Sequence, residues 1–207
     1  MKQATGKTNS GPTANKVSIQ LALDGHSFSV SGQPGAGEGP LTVEILTPRT
    51  LLVPEALFAP ERAALLLAAD GKAPLWDETT VCTLPEEGCV AVMAVPVAAL
   101  DRLHELCGRG TPMPDVHYAT PLLQPFNPAR PTVQVQYRAG CLYVKVYHAG
   151  LQLAEVLPAP GEADLRYAFE RLAEVFPAKQ YGLQLLGAEA HPLARQIGHY
   201  YHETRCE

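Results

Sequence analysis

The amino-acid sequence predicts an α/β protein made of two tandem copies of one folding unit. Both halves show the same order of patterns: three meandering strands, a helix, a buried strand and a second helix. Short stretches also match in letters, because 17–21 reads VSIQL where 133–137 reads VQVQY, and 43–46 reads VEIL where 154–157 reads AEVL. Two matches in the same order, about 110 residues apart, favour duplication. The alternative is chance, since any α/β chain offers such pairs.

Composition bounds the class of protein. Sixteen Lys and Arg against 21 Asp and Glu give a formal net charge of −5 over 207 residues, so the chain has no overall attraction for nucleic acid or an anionic membrane. The longest near-apolar run, residues 89–100, is shorter than the ~20 residues of a membrane span, and no signal peptide is recognisable. The five cysteines form no CxxC pair, which is typical of a reduced compartment. We expect a cytoplasmic protein with no membrane partner and no direct contact with nucleic acid.

The first half begins with polar residues 1–15, which predict a disordered tail. From residue 17 apolar and polar residues alternate, which predicts a strand with one buried face, and Asp24-Gly25 predicts a tight turn to a second strand at 26–30. The later patterns of this half predict strands 41–46, 51–53, 90–95 and 116–123, and helices 60–69 and 96–107. The uninterrupted apolar run at 90–95 is typical of a strand buried on both faces.

Three prolines between residues 125 and 131 predict a stiff linker. This linker separates a first subdomain, 16–124, from a second, 132–207. The patterns of the second subdomain predict strands 133–138, 142–148, 151–157 and 181–186, and helices 162–176 and 192–203.

Tyrosines are concentrated in the hairpin that opens the second subdomain. Tyr137, Tyr143 and Tyr147 stand at odd positions together with Cys141 and Lys145. On that register all five share one face. We expect this face to be core beneath helix 162–176, or a partner surface if it is exposed, since tyrosine is enriched at interfaces.

Three antiparallel strands followed by helix, strand and helix resemble the ribonuclease H-like fold, and two such units in tandem resemble the actin-like ATPase superfamily, which includes sugar kinases. The resemblance implies a tandem duplicated ribonuclease H-like (actin-like ATPase) fold. Its second half is expected to be truncated, because no further strand and helix are recognisable after 192–203.

A closer resemblance comes from residues 16–30, KVSIQLALDGHSFSV, supported by the chain length and the aromatic C-terminal helix. This opening is similar to that of an uncharacterised bacterial family, domain-of-unknown-function family 3822. Members of that family are regarded as actin-like in fold and have no assigned activity. They are often encoded beside a ribosomal RNA methyltransferase, which implies no mechanism.

In active actin-like ATPases, a hairpin turn in each half holds phosphate through backbone N–H groups and a carboxylate that orders the water shell of the metal. The resemblance makes Asp24, Gly25 and Ser27 weak phosphate-loop candidates. The equivalent turn at 138–141, RAGC, has no acid and no hydroxyl, and the turn at 186–189 has one glycine where adenosine would be received. Asp-Gly is also what a hairpin needs for backbone reasons alone. We expect a degenerate nucleotide site, no ATP turnover and no cofactor, with ATP and magnesium as the alternative.

His199, His202 and Cys206 are spaced three and four residues apart and would share a face of the predicted terminal helix. With Glu203 they offer zinc ligands. Exposed polar residues at the end of a terminal helix give the same pattern, so no metal site is assigned, and no catalytic residue is assigned either.

The sequence therefore favours a non-catalytic binding or scaffold protein, with a partner protein in the cleft between the halves or at a sheet edge. One alternative is an ATP-dependent kinase or ATPase of the actin-like superfamily, using acids such as Asp70, Asp77 and Asp164. The other is an accessory factor linked to ribosomal RNA methylation.

Overall fold

The computed structural model describes residues 16–21, 27–33, 40–107, 115–126 and 128–207. The predicted tail at 1–15 and the predicted turn Asp24-Gly25 lie outside these residues. The strands are β1 (Lys16–Leu21), β2 (Phe28–Gln33), β3 (Leu41–Leu46), β4 (Thr50–Pro54), β5 (Glu78–Cys82), β6 (Cys89–Pro96), β7 (Val116–Ala119), β8 (Thr132–Arg138), β9 (Cys141–Tyr147), β10 (Leu151–Pro158), β11 (Gly182–Leu186) and β12 (Thr204–Cys206). The helices are α1 (Ala63–Ala69), α2 (Val97–Leu106), α3 (Glu162–Val175) and α4 (Ala190–Ile197). Within those described ranges, none of the helices has the length and apolarity needed to cross a membrane.

The first sheet has the strand order β2-β1-β3-β7. β1 and β2 pair antiparallel, with Ile19 opposite Val30. β3 runs parallel to β1, with Ile45 opposite Ile19, so the predicted antiparallel meander of three strands in the first half is wrong. Alternating apolar residues specify which face of a strand is buried but not the direction of the strand. β2 and β3 lie on either side of β1 in this sheet.

The core of this half lies on both sides of β6. Residues of β1 and β3 form one cluster with Met93 and Val95 of β6 and with Leu103 of α2. On the opposite side of β6, Val92 and Ala94 pack with α1. The prediction of a strand buried on both faces at 90–95 is therefore confirmed.

A three-stranded sheet of order β4-β6-β5 is inserted in the chain between β3 and β7. The sequence does not predict β5, because ETTVC offers one buried apolar side chain, Val81. Trp76 is the only tryptophan of the chain, lies two residues before β5 and is 92% exposed. We call the elements β1 to β7 with α1 and α2 the first lobe, and the later elements the second lobe.

The second lobe has a five-stranded sheet of order β10-β9-β8-β11-β12. β8, β9 and β10 form the predicted antiparallel meander, whereas β11 and β12 run parallel to β8. The expectation that the second half lacks a further strand is wrong, because β12 adds a fifth strand to its sheet. The predicted helix 192–203 ends earlier, at Ile197, since Gly198 begins a short 3-10 turn and buried Tyr201 fixes the chain as it returns to the sheet. The short polar segment Thr204–Cys206 carries no periodic pattern that would predict a strand.

Helices α3 and α4 cover one face of this sheet. Leu142, Val144 and Val146 of β9 pack there with Phe169 of α3, in the core of the second lobe. Tyr143 pairs with Gln136, and Tyr137 pairs with Leu142. The tyrosines of the hairpin therefore do not share a face: Tyr137 lies on the helix side, whereas Tyr143 and Lys145 lie on the opposite side. The prediction that all of them lie beneath helix 162–176 is wrong.

Candidate functional site

Of the two predicted phosphate-binding turns, only the one in the second lobe lies wholly within the described residues. Asp24 and Gly25 lie outside the described residues, and Ser27 is exposed directly before β2. In the second lobe, Ala139 and Gly140 form the β8–β9 turn with φ values of 56° and 71°. The carbonyl of Gly140 accepts a hydrogen bond from the N–H of Ala159 at 2.7 Å. The structure therefore ties the second turn to the end of β10.

Apolar side chains fill the space between the lobes next to this turn. Leu46 of the first lobe packs with Leu122, which lies between the lobes in the chain, and with residues of the second lobe. We call this group the interlobe cluster, and its buried members are Leu46, Leu122, Cys141, Tyr143 and Val156. Leu52 and Ala139 pack against it. Cys141 is 1% exposed in this cluster, and its burial raises the pKa of the thiol to about 11.

Two ionic contacts join the lobes around the interlobe cluster. The Glu44 carboxylate accepts hydrogen bonds from Arg138 and from Lys16, each at 3.2 Å. Lys72 of the first lobe binds Glu155 on β10 at 2.5 Å and Asp70 at 2.8 Å. Burial lowers the pKa of Lys72, but the hydrogen bonds to Asp70 and Glu155 outweigh burial, so its pKa is raised. Lys72 is therefore a cation in this interface.

The three acids proposed for an ATPase role have different surroundings. Asp70 binds Lys72. Asp77 precedes β5, and its buried Oδ1 has no hydrogen-bond partner in the described part of the chain. Asp164 accepts a hydrogen bond from the N–H of Gly161 at 3.0 Å and so caps α3. Nothing in these contacts brings the three carboxylates together.

The zinc hypothesis depended on one long terminal helix, which the structure replaces by α4, a 3-10 turn and β12. Cys206 lies in β12, where its Sγ is 3.6 Å from the carbonyl oxygen of Ala190. Over the residues that the structure describes, no group of three or more His, Cys, Asp or Glu side chains could hold a metal ion.

A row of polar side chains crosses the face of the second sheet that the helices do not cover. Register places Lys145 of β9 beside Gln134 of β8, Gln134 beside Gln184 of β11, and Gln184 beside Arg205 of β12. We call these four residues the polar row. Lys145, Gln134 and Gln184 are only 3%, 4% and 9% exposed, and Gln134 donates a hydrogen bond to Gln184 at 3.3 Å. The row is not predictable from the sequence, because its members become neighbours only through the register of all four strands.

Lys145 is the most deeply buried charge of the row. Its ammonium donates a hydrogen bond to the carbonyl of Gln124 and lies 6.0 Å from the centre of the Phe126 ring. Burial lowers the pKa of Lys145 to about 8, although Glu87 and Glu86 act in the opposite direction. The contacts of Lys145 with Gln124 and Phe126 attach the segment between the two lobes to the second sheet.

A cavity of about 360 Å³ opens at the exposed end of the polar row, between this connecting segment and the sheet. We call it the linker pocket. Phe126 and Pro128 supply apolar walls, and Arg130, Gln184 and Arg205 supply donors, with Glu207 also at the wall. The ring of Phe126 is held edge-on against Tyr147 at 5.1 Å.

A second cavity, of about 520 Å³, is an apolar groove between the edge strand β10 and α3. We call it the β10–α3 groove. Its apolar lining consists of Leu153, Leu157, Pro158, Tyr167, Ala168, Leu172, Val175 and Phe176. Tyr167 and Val175 are 66% and 63% exposed. Among the residues that the structure describes, the groove is therefore an uncovered apolar surface of the second lobe.

Comparison with solved structures shows the fold. The chain is similar to a protein of Bacteroides thetaiotaomicron described as having an actin-like ATPase fold and unknown function, with 12% identity over 93% of this chain and 90% of that chain and a TM-score of 0.65. It is also similar to the cytoplasmic domain of EpsL, an inner membrane component of the type II secretion system of Vibrio cholerae, with 13% identity over 82% and 81% of the two chains. The TM-score of 0.43 in that second case is too low to support an inference about this chain.

No protein-family model and no curated protein matches the chain. The similarity to the Bacteroides protein therefore establishes an actin-like ATPase fold and nothing about activity. Membership of family 3822 stays a prediction.

Proposed function

We propose that the chain is a non-catalytic binding or scaffold protein with an actin-like fold and a degenerate nucleotide site. The packing of the β8–β9 turn is the observation that carries this proposal. A phosphate-binding turn has to present free backbone N–H groups to an open cleft. Here Ala139 and Cys141 pack at the interlobe cluster, and Arg138 binds Glu44 of the first lobe. In this proposal the turn joins the lobes and does not hold a triphosphate.

The proposal has three further parts that rest on the sequence. The two lobes descend from one duplicated ribonuclease H-like unit, the chain belongs to family 3822, and the protein works in the cytoplasm. The second sheet has five strands in the order β10-β9-β8-β11-β12, and the first sheet has four in the order β2-β1-β3-β7. The smaller number of strands in the first sheet is compatible with duplication followed by divergence of the first copy.

The partner surface that we favour is the β10–α3 groove, at the edge of the second sheet. The interlobe cleft is the less suitable of the two predicted surfaces, because the interlobe cluster and the Glu44–Arg138 pair already occupy it. At the groove, Tyr167 and Val175 leave large apolar areas in water. Aromatic side chains at such positions are common binding hot spots.

The charges around the groove indicate what kind of partner it accepts. Glu155 is paired with Lys72, Asp164 caps α3, and Arg171 is paired with Glu174 of the same helix. With these groups already satisfied, a charged partner would gain little, whereas an uncharged apolar segment would bury the exposed side chains. We propose that the groove binds an apolar segment of a partner protein.

The nucleotide part is tested by thermal unfolding with and without ATP, ADP and magnesium. Binding stabilises a protein by RT ln(1 + [L]/Kd), so millimolar nucleotide raises the melting temperature measurably if Kd is micromolar. We expect no shift and no phosphate release. Magnesium-dependent ATP hydrolysis that is lost in Asp24→Ala would overturn the proposal in favour of the kinase or ATPase alternative.

The partner part is tested by quantitative capture from native lysate with matched variants. Val175→Asp and Tyr167→Glu place a charge in the groove, and Leu65→Asp places one on an equally exposed leucine of α1 in the first lobe. We expect a partner that is retained by the wild type and by Leu65→Asp but lost from both groove variants. Equal capture by all four proteins would refute the groove. A groove-dependent RNA methyltransferase among the captured proteins would favour the accessory role in ribosomal RNA methylation.

A further inference from the structure

The polar row places a side-chain donor at the wall of the linker pocket. Gln184 uses its Oε1 to accept the hydrogen bond from Gln134. Its amide nitrogen is not part of that bond, and the side chain lines the linker pocket. A bound acceptor can therefore take a hydrogen bond from this amide.

Cationic donors stand beside that amide. Arg130 and Arg205 both bind Glu203, Arg130 through Nη1 to Oε2 and Arg205 through Nη2 to Oε1 at 3.1 Å. A guanidinium group has five N–H donors, and the one carboxylate of Glu203 is shared by both arginines. Each arginine therefore keeps N–H donors that Glu203 does not use. Guanidinium donors are suited to a carboxylate or a phosphate. The carboxylate of Glu207 at the same wall acts against an anion.

The shape of the linker pocket restricts the ligand further. Its volume of about 360 Å³ is within the range of small-molecule sites. The floor is a β-sheet, and the facing wall carries Phe126 and Pro128, so a flat ligand body would contact apolar groups there. Carbonyl oxygens on that body would accept from Gln184.

We propose that the linker pocket is a binding site for a small planar organic anion whose ring carries carbonyl acceptors. The anionic group binds at Arg130 and Arg205, the ring lies against Phe126, and a ring carbonyl accepts a hydrogen bond from Gln184. The site lies apart from the β10–α3 groove and does not depend on the proposed partner.

Calorimetric titration of the full chain with orotate and with uridine 5′-monophosphate tests the proposal, because the two share a carbonyl-bearing ring and differ in the source of the anion. Uridine lacks the anion, and inorganic phosphate lacks the ring. We expect one of the two test ligands to bind at least about tenfold more tightly than uridine or phosphate. Lack of binding of both test ligands at millimolar concentration would overturn the proposal, as would equal binding of phosphate.

Variants locate the site. Arg205→Ala changes a side chain that is 64% exposed and should fold normally, and Gln184→Glu keeps an acceptor for Gln134, removes the amide donor and adds a negative charge that repels an anion. Each should weaken binding about tenfold or more, whereas Glu207→Gln should strengthen it. Arg102→Ala, at an exposed arginine of α2, is the control and should bind like the wild type. Binding that Arg205→Ala leaves unchanged would place the ligand elsewhere and refute the site.

Discussion

Glu44 on β3 and Arg138 at the end of β8 form an ion pair between the two lobes, with 3.2 Å between Oε2 and Nη2. The carboxylate is 7% exposed, and the guanidinium is 37% exposed. Lys16 binds the other oxygen of Glu44 at 3.2 Å. A single buried acid thus connects β1 of its own sheet to the end of β8 in the other lobe.

Glu44→Gln should lower the free energy of unfolding by about 1–3 kcal/mol, because removing one partner leaves the other charge without its counterion in the interface. The matched control is Glu174→Gln, which breaks an exposed pair with Arg171 and should cost less than about 0.5 kcal/mol. Urea unfolding of both variants measures the difference. Equal losses would show that the interlobe pair has no special role.

Cys141 should report on separation of the lobes. It is 1% exposed within the interlobe cluster, and burial raises its pKa to about 11. Since only an accessible thiolate reacts quickly, a thiol reagent should label Cys141 more slowly than half-buried Cys89. Glu44→Gln should accelerate the labelling of Cys141 and leave that of Cys89 unchanged. Peptide mapping by mass spectrometry measures both rates, and labelling of Cys141 as fast as Cys89 would contradict the packed interface.

Lys145 should make stability depend on pH in the alkaline range. Burial lowers its pKa from 10.5 to about 8, so above about pH 8 the folded protein releases a proton that the unfolded chain still binds. Stability from this group therefore rises with pH between those two values, and the penalty of burying the charge is fully present below pH 8.

The corresponding experiment compares the wild type with Lys145→Met. The difference in unfolding free energy between the two proteins should shift by about 3 kcal/mol in favour of the wild type from pH 7 to pH 10. Lys179→Met, at an exposed lysine, controls for loss of a positive charge. Denaturant unfolding at both pH values is the measurement, and a difference that stays constant with pH would contradict the burial of Lys145 as an ammonium.

Gly32 should resist substitution because of a backbone contact. It lies opposite Val17 in the first hairpin with a φ of +100°, and an added Cβ would approach the carbonyl oxygen of Lys16 to 2.6 Å. Gly32→Ala should cost about 3 kcal/mol, from both the backbone strain and this clash. Gly71→Ala, at a φ of +73° with open space around the Cβ, should cost only about 1 kcal/mol. Thermal unfolding measures the loss of unfolding free energy in both variants. Equal losses would contradict the predicted clash at Gly32.

The sequence predicts the elements better than their arrangement. Alternation of apolar and polar residues identifies β1 and β3, and the apolar run identifies β6, because the positions of apolar residues show which faces of a strand are buried. The parallel direction of β3 against β1 is not predictable in this way, because alternation within β3 is the same for either direction. β12 is not predictable from the sequence for a related reason. This three-residue polar strand is stabilised by its pairing with β11 and not by its composition.

One error was avoidable from the sequence. A two-residue turn at Ala139-Gly140 makes Arg138 pair with Cys141, so Tyr137 has to pair with Leu142 and cannot face the same side as Tyr143. The polar row was not predictable in the same way. It needs the parallel register of Gln134 with Gln184, and these residues are 50 positions apart in the chain.

The pairing of β3 with β7 has a consequence for biosynthesis. Leu41 lies opposite Val116, and the whole inserted sheet is translated between them. Contacts between residues far apart in the chain form slowly because a long loop has to close first. On the ribosome, β3 therefore has an unprotected edge until β7 emerges, so the inserted sheet and α2 have time to fold before the first sheet is complete.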